Sequence, residues 1–325
     1  MEQNTTDIHQ YYKHFEDIIR HRFLKEEHLN YFLKEMKAAF RWTVQNFINY
    51  PIYHDDGCAL VFHSEKETQR GYFGFIILPK DLKMRGDFWE TITSTANEIG
   101  AKFLIGPIQG STFFPYRFIS QSDGSAFFKG EYFCHSSDHD FLVSKKPENI
   151  LTYQSGYRTR FDKIMTMSKP YFDELSNKGL EFKLRSKIDQ DLFRQILELV
   201  EIIFKHNWSF QHLSEDEFTK FYSSEILNPS KMMLHTLHFQ GNLIGFCRYI
   251  ENDDKTIICK TLGILPEYQK MGVGAAAVYQ IHAEAINHGY SKIIYALVSD
   301  LNRVKNLPQG DEIIFRKYAS YEFNL

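Results

Sequence analysis

The chain has 325 residues, 43% of them hydrophobic and 24% charged, with a formal net charge of -3. This balance excludes a disordered or collagen-like chain and gives no electrostatic reason to expect a nucleic-acid or anionic-membrane partner. The length favours two domains over one.

The first fifty residues read as helical. Leu29, Phe32, Leu33, Met36, Phe40, Val44 and Phe47 recur at three- and four-residue steps and form one apolar stripe, which Pro51 ends. Cys58 to His63 and Tyr72 to Leu78 read as hairpin strands. Asp87-Phe-Trp-Glu90 resembles a capping box opening a helix to about Ile99, and Lys102 to Ile108 is an apolar strand. From Gly110 to Tyr132 no period is evident, so a long loop is expected, followed by a strand near Tyr157 to Asp162 and a helix from Ser168 to Lys178.

A second series begins at Leu180. Glu181 to Arg185 is strand-like, Asp189 to Phe204 is an amphipathic helix, and Ser214-Glu-Asp-Glu217 caps another. Strands are expected over Met232 to Phe239, Leu243 to Ile250 and Thr256 to Leu265. A helix from Gly272 to Asn287, a strand from Lys292 to Val298 and a last extended segment from Ile313 to Phe323 complete the chain. Both halves run through helices, hairpin strands, a helix and a strand. The expected domains are residues 1–178 and 179–325.

No apolar run approaches the ~18 residues of a membrane span, and the start has neither the basic nor the apolar region of a secretory signal. Cys58, Cys134, Cys247 and Cys259 are widely spaced and form no Cys-x-x-Cys pair, so a reducing cytoplasm is expected. Cys247 and Cys259 read as core residues. His14, His21 and His28 stand about 10 Å apart on a helix, too far to share a metal. His135 and His139 lack the glutamate of a zincin motif, and no Gly-x-Ser-x-Gly elbow surrounds Ser111. No metal site is expected.

Chemistry concentrates in Lys260-Thr-Leu-Gly-Ile-Leu-Pro-Glu-Tyr-Gln-Lys-Met-Gly-Val-Gly-Ala275. A strand ends at Leu265, a turn follows, and Gly272 and Gly274 lead into a helix. Such geometry aims backbone N–H groups at one anion at the positive end of the helix. The loop runs into Gly274-Ala-Ala276, not the Gly-Lys-Ser/Thr of a Walker loop, and only Gly272 and Gly274 fit a dinucleotide fingerprint.

Gln-x-x-Gly-x-Gly after a strand and a proline resembles motif A of the GNAT superfamily of acyl-CoA-dependent N-acyltransferases, over about Leu180 to the C-terminus. The resemblance implies an α+β (α/β) fold of two tandem GNAT-like domains, each a mixed, mostly antiparallel sheet flanked by helices. It implies acetyl-CoA, or another acyl-CoA, as co-substrate, with direct attack of a primary amine of a small molecule or a protein on the thioester. Leu262, Gly263 and Ile264 would bond the pantetheine arm. Gln269, Lys270, Met271, Gly272, Val273, Gly274 and Ala275 would hold the pyrophosphate, and Asn302 would touch the cofactor. Tyr318, with Tyr321 as rival, would protonate the leaving thiolate. Glu251, His235 and His238 lie on strands facing the expected substrate and are candidate bases. The alternative reading is a module that binds acyl-CoA or a partner without turnover.

The first half has Leu78-Pro79-Lys-Asp-Leu-Lys-Met-Arg85-Gly86-Asp87 at the matching place. One glycine is missing and Asp87 is expected to cap the helix, so this half should have the GNAT shape without its cofactor site. Gly106-Pro-Ile-Gln-Gly-Ser-Thr112 with Tyr116-Arg117 resembles a segment of tandem bacterial GNAT-like proteins. Gln109, Ser111, Thr112 and Arg117 are its candidate substrate ligands, with a structural turn as the equal alternative.

Overall fold

The computed structural model describes residues 5–185, 187–222, 232–300 and 311–325. The chain divides into two units, residues 1–152 with 316–325, and residues 153–315. This differs from the expected boundary at Lys178. The helix and strand before that lysine pack within the second unit, and the last strand of the chain completes the first.

The first unit opens with helices α1 (Thr5–Arg22) and α2 (Leu29–Asn46), so the expected helical stretch is two helices. Strands β1 (Ile48–His54), β2 (Gly57–Ser64) and β3 (Glu67–Ile77) follow as an antiparallel meander. The sequence reading missed β1 because Pro51 lies inside it, paired with Leu60. A proline is tolerated where a strand bonds on one side only, and β1 ends its sheet. Helix α3 (Leu82–Glu98) leads to β4 (Phe103–Gly106), which runs parallel to β3. Strand β5 (Phe118–Ser122) lies within the stretch expected to be loop, and α4 (Ser136–Ser144) follows. The first unit's part of the final strand, within Ile313–Asn324, pairs with β4 and β5.

The second unit begins within β6 (Asn149–Arg158), followed by α5 (Asp162–Asn177) and β7 (Leu180–Leu184). Helix α6 (Gln190–Phe204) starts where the sequence places it, because the Asp189 side chain accepts a hydrogen bond from the Leu192 amide. Helix α7 (Glu215–Tyr222) opens on the expected box: the Ser214 amide donates to Glu217 at 2.9 Å, and the Glu217 amide donates back to the Ser214 hydroxyl at 3.3 Å. Strands β8 (Leu234–Phe239), β9 (Asn242–Asp253) and β10 (Thr256–Ile264) are antiparallel neighbours. A 3-10 turn (Pro266–Met271) joins β10 to helix α8 (Val273–Asn287), and β11 (Lys292–Ser299) returns parallel to β10. Strand β12 (Ile313–Asn324) ends the chain.

Two apolar clusters carry the second unit. One gathers Phe161, Tyr249, Ile257, Ile281 and Ile293, the other Leu175, Leu180, Leu237, Ile264 and Val273. Both lie on the α5 and α8 side of the sheet, so burial of these faces fixes α8 against β10. No helix among the described residues is long and apolar enough to cross a membrane.

Candidate functional site in the second unit

The β10–β11 ladder ends early. Parallel pairing runs from Thr256↔Lys292 to Cys259↔Tyr295 and goes no further among the described residues. On its other side β10 stays paired with β9 as far as Ile264↔Gly245. The register slips between Cys259 and Thr261, where two steps on β10 match one on β9, so Lys260 is the extra residue of a bulge. Bulges bend a strand and increase its twist, and here β10 parts from β11 beside one. The edge of Leu262, Gly263 and Ile264 that faced β11 therefore has no ladder partner among the described residues. An extended amide-bearing ligand can bond such an edge as an added strand would.

The turn after β10 aims a second set of donors. Gln269 donates from Nε2 to the Ile264 carbonyl at 2.8 Å, which ties the turn to the strand end. Its side chain is thus a brace for the turn. Gly272 has φ 87°, in the left-handed region where a side chain is strained, and it caps α8 with no side-chain bond. The first intrahelical bond runs from the Ala276 amide to the Gly272 carbonyl at 3.0 Å. The amides of Val273, Gly274 and Ala275 precede it and have no acceptor within the helix. No acidic residue lies in that first turn. Lys270 and Met271 are exposed beside it. Together the turn and helix end form a cradle of backbone donors for an anion, with no carboxylate in the helix's first turn and Glu267 exposed in the 3-10 turn before it.

The candidate acids and bases are scattered. Glu251 pairs across from Ile257, six residues from Gly263 and so roughly 20 Å along the strand. Its carboxylate accepts from the Tyr290 hydroxyl at 2.9 Å. His235 is in register with Cys247 and Leu262, but it is buried, with Nδ1 3.1 Å from the Tyr249 hydroxyl. Burial pushes its pKa down to about 4, so it is neutral at pH 7. His238 sits 3.1 Å from both the Arg185 guanidinium and the Thr236 hydroxyl, and burial, followed by the Lys183 and Arg185 charges, lowers its pKa.

Tyr318 and Tyr321 belong to the first unit, whereas the strand edge and the cradle belong to the second. Both are buried. Tyr318 donates its hydroxyl to Glu131, and the Tyr321 hydroxyl lies 2.6 Å from His139 Nδ1. Burial raises the pKa of Tyr321. These bonds tie both phenols to side chains of the first unit. Asn302 lies outside the described residues.

Within the first unit the same opening exists and is filled. Strands β3 and β4 pair in parallel only from Arg70↔Phe103 to Tyr72↔Ile105. Beyond that point β3 slips register opposite Cys58 and Leu60, and Phe75 takes φ 45°. The chain's own next residues enter the gap. Ile108 donates its amide to the Phe73 carbonyl at 3.0 Å, and the Gln109 side-chain oxygen accepts from the Phe75 amide at 2.6 Å. A Cβ on Gly74 would stand 1.8 Å from the Ile108 carbonyl oxygen, so only glycine admits this approach.

The helix end differs too. The expected cap, Asp87, lies inside α3, which starts at Leu82. Asp81 is the cap, accepting from the Lys83 amide at 2.8 Å. The mechanism expected of Asp87 thus holds at Asp81, because the extended backbone needed for a cap comes before the helix, not within it. Arg85 in the next turn is buried against Asp138 at 3.1 Å. Gln109 and Ser111 are fully buried, whereas Thr112 and Arg117 are half-buried. The Arg117 guanidinium stacks 3.6 Å from the Tyr116 ring centroid.

Sequence reasoning missed three contributors to the second-unit site. Tyr171 on α5 packs its ring at Gly272, and Ile203 and Phe204 on α6 cover Gly263. All come from helices distant in sequence, and no local pattern marks them.

Residues 193–305, about a third of the chain, match the family model described as the acetyltransferase (GNAT) family. A solved tandem GNAT protein from the clavulanic acid biosynthesis pathway covers 97% of this chain and 95% of its own, with a TM-score of 0.54 and 7% identity. A conserved protein of unknown function from Enterococcus faecalis V583, described as a probable N-acyltransferase, has a TM-score of 0.52 at 9% identity, over 95% of this chain and 69% of its own. The GCN5-related glucosamine N-acetyltransferase region of a fungal multi-domain GH3 β-N-acetylglucosaminidase has a TM-score of 0.51 at 12% identity. That match covers 99% of this chain and 37% of the other. At these identities the likeness is one of fold. No curated protein matches the sequence.

Proposed function

The chain has a tandem GNAT fold with a GNAT-family domain over residues 193–305, and on that premise we propose that its second unit is an acyl-CoA-dependent N-acyltransferase. The observation that carries the reading is the coincidence of a β10 edge with no ladder partner among the described residues and, directly after it, a helix end with no side-chain cap. A linear molecule with amides along its arm and a pyrophosphate beyond them matches both. Leu262 to Ile264 would bond the pantetheine arm. The amides from Gly272 to Ala275 would hold the pyrophosphate, with Lys270 adding charge at the rim. Acetyl-CoA is the proposed donor and a primary amine the acceptor.

The chemistry asked of this chain is modest. A strand amide at Gly263 or Ile264 would polarise the thioester carbonyl as charge develops on its oxygen. The neutral amine attacks the carbonyl carbon, the C–S bond breaks, and the proton lost by nitrogen must reach solvent or a base. The first unit would bind no acyl-CoA, since Ile108 and Gln109 already occupy its strand opening and Asp81 its helix end.

Titration calorimetry with acetyl-CoA tests the site. Wild type should bind, while Gly272→Asp and Gly274→Asp place a carboxylate in the cradle and should abolish binding. Equal binding by both variants sinks the proposal. A second reading, an acyl-CoA-binding module without turnover, is favoured by the distance of Glu251 from the β10 edge and the burial of His235. Thiol release with a broad amine panel separates the two: binding without release across the panel would establish the module.

A further inference from the structure

Cys247 on β9 and Cys259 on β10 are free thiols whose sulfurs lie 3.5 Å apart. They are not directly opposed. Cys247 faces Leu262 and Cys259 faces Tyr249, so the pair spans the Lys260 bulge on a diagonal. Cys259 is also the last residue of β10 to pair with β11. The two sulfurs therefore straddle the place where the strand leaves its parallel neighbour. Cys58 and Cys134, the other two cysteines, are buried members of the first unit.

We propose that Cys247 and Cys259 form a reversible disulfide under hydroperoxide, and that its closure weakens acyl-CoA binding at the adjoining edge of β10. The second half rests on the acyl-CoA reading of the site. Cys259 is the entry point, because it is half-buried whereas Cys247 is 1% exposed. Its thiolate attacks the peroxide O–O bond, forming a sulfenic acid and releasing one oxygen as water once protonated. The Cys247 sulfur then attacks the sulfenic sulfur. The S–S bond forms, the S–O bond breaks, and the Cys247 proton leaves with the oxygen as a second water. One peroxide is reduced and two thiols are oxidised. Thiol reductants reverse the reaction by exchange, so in a reducing compartment the bond is transient.

The geometric consequence follows from bond lengths. A disulfide holds its sulfurs at about 2.05 Å, so the present separation of 3.5 Å must close by roughly 1.5 Å. Diagonal partners on adjacent strands are spaced wider than directly opposed ones, and the bulge between Cys259 and Thr261 is a place where the ladder is locally disrupted. Closure tightens the turn of chain between Cys259 and Leu262. Leu262, Gly263 and Ile264 follow immediately, so the bonding edge shifts. Displacements near 1 Å suffice to spoil a preorganised site.

The 325-residue chain, treated with hydrogen peroxide and then alkylated, should yield a linked peptide joining Cys247 to Cys259 and lighter by two hydrogens. Its acetyl-CoA affinity should fall roughly tenfold or more, and dithiothreitol should restore it. Cys259→Ser and Cys247→Ala should each abolish the peroxide response while binding acetyl-CoA as the reduced parent does. Two results overturn the proposal: both thiols remaining alkylatable in peroxide-treated native protein, or a linked peptide with unchanged affinity. A reduced protein that binds no acetyl-CoA removes the acyl-CoA reading and with it the switch. The peptide map decides the pairing independently.

Discussion

Gly272→Ala is the sharpest test of the cradle. At φ 87° an L-residue pays about 1–2 kcal/mol relative to glycine. The added Cβ would stand 2.9 Å from Tyr171 Cδ1, closer than real carbon contacts allow. Tyr171 is 45% exposed, so its ring can swing aside for about 0.5–1.5 kcal/mol. The sum is about 1.5–3.5 kcal/mol of stability, or about 3–14 °C of melting temperature for a unit of this size. If the turn relaxes instead, the amides of Val273 to Ala275 lose their aim. Losing one charge-assisted bond of about 1.5–3 kcal/mol weakens acetyl-CoA binding by roughly 10- to 100-fold. Scanning calorimetry with and without acetyl-CoA, paired with titration calorimetry, measures both. Tyr171→Ala in the Gly272→Ala background should return only the contact part of the loss. Gly272→Asn should cost less than alanine, since asparagine tolerates the left-handed region. A Gly272→Ala protein that melts within a degree of wild type and binds equally well would refute the reasoning.

Three further outcomes are expected. Acetyl-CoA should bind with one site per chain, and a stoichiometry of two by calorimetry would show that the first unit's opening is not closed by Ile108 and Gln109. In the first unit Arg316 and Glu131 form a buried pair at 2.6 Å, so Glu131→Ala should cost about 3–5 kcal/mol and Tyr318→Phe about 1.5–3 kcal/mol in urea denaturation. His235 and His282 are both pushed down to about 4 by burial, and both are neutral in the fold. Unfolding lets them take a proton below about pH 6.5, so the second unit keeps full stability above that pH. It should lose roughly 3 kcal/mol per histidine as the pH falls towards 4. Urea midpoints at pH 7 and pH 4.5 check this, with His282→Asn flattening the slope.

Local chemistry made much of the second unit legible. Asp189, the Ser214 box, Gly272 and Gly289 punctuate helices by short-range rules, and the hairpin turns near Gly241 and Asp253 set β8 to β10 in order. What the sequence concealed is long-range. Tyr318 follows motif A at a longer spacing than the family pattern, and only the fold reveals that it pairs with β5 in the first unit, where Glu131 takes its hydroxyl. Glu251 lies on the β9–β10 hairpin opposite Ile257, six residues along β10 from Gly263, a placement that register alone decides. Strand β1 was hidden by a proline whose harmlessness depends on an edge position.

The two units pose one physical problem and answer it differently. Each has a strand that parts from its parallel neighbour next to a bulge, leaving backbone groups that need partners. Buried amides left without partners are costly, so an opening of this kind must be filled by chain, by water or by ligand. In the first unit Gly74 lets the Ile108 carbonyl press against β3, and the Gln109 side chain takes the Phe75 amide. A ligand there would have to displace bonds the fold already makes. In the second unit, Leu265 turns away at the strand end into the 3-10 turn, with its amide bonded to Ile244, and Gln269 braces that turn from the Ile264 carbonyl. None of these bonds crosses the edge that faced β11. The side chain that plugs one opening thus has a counterpart that props the other open, and Gln269→Leu should weaken acetyl-CoA binding without the loss of fold that Gly74→Ala would cause.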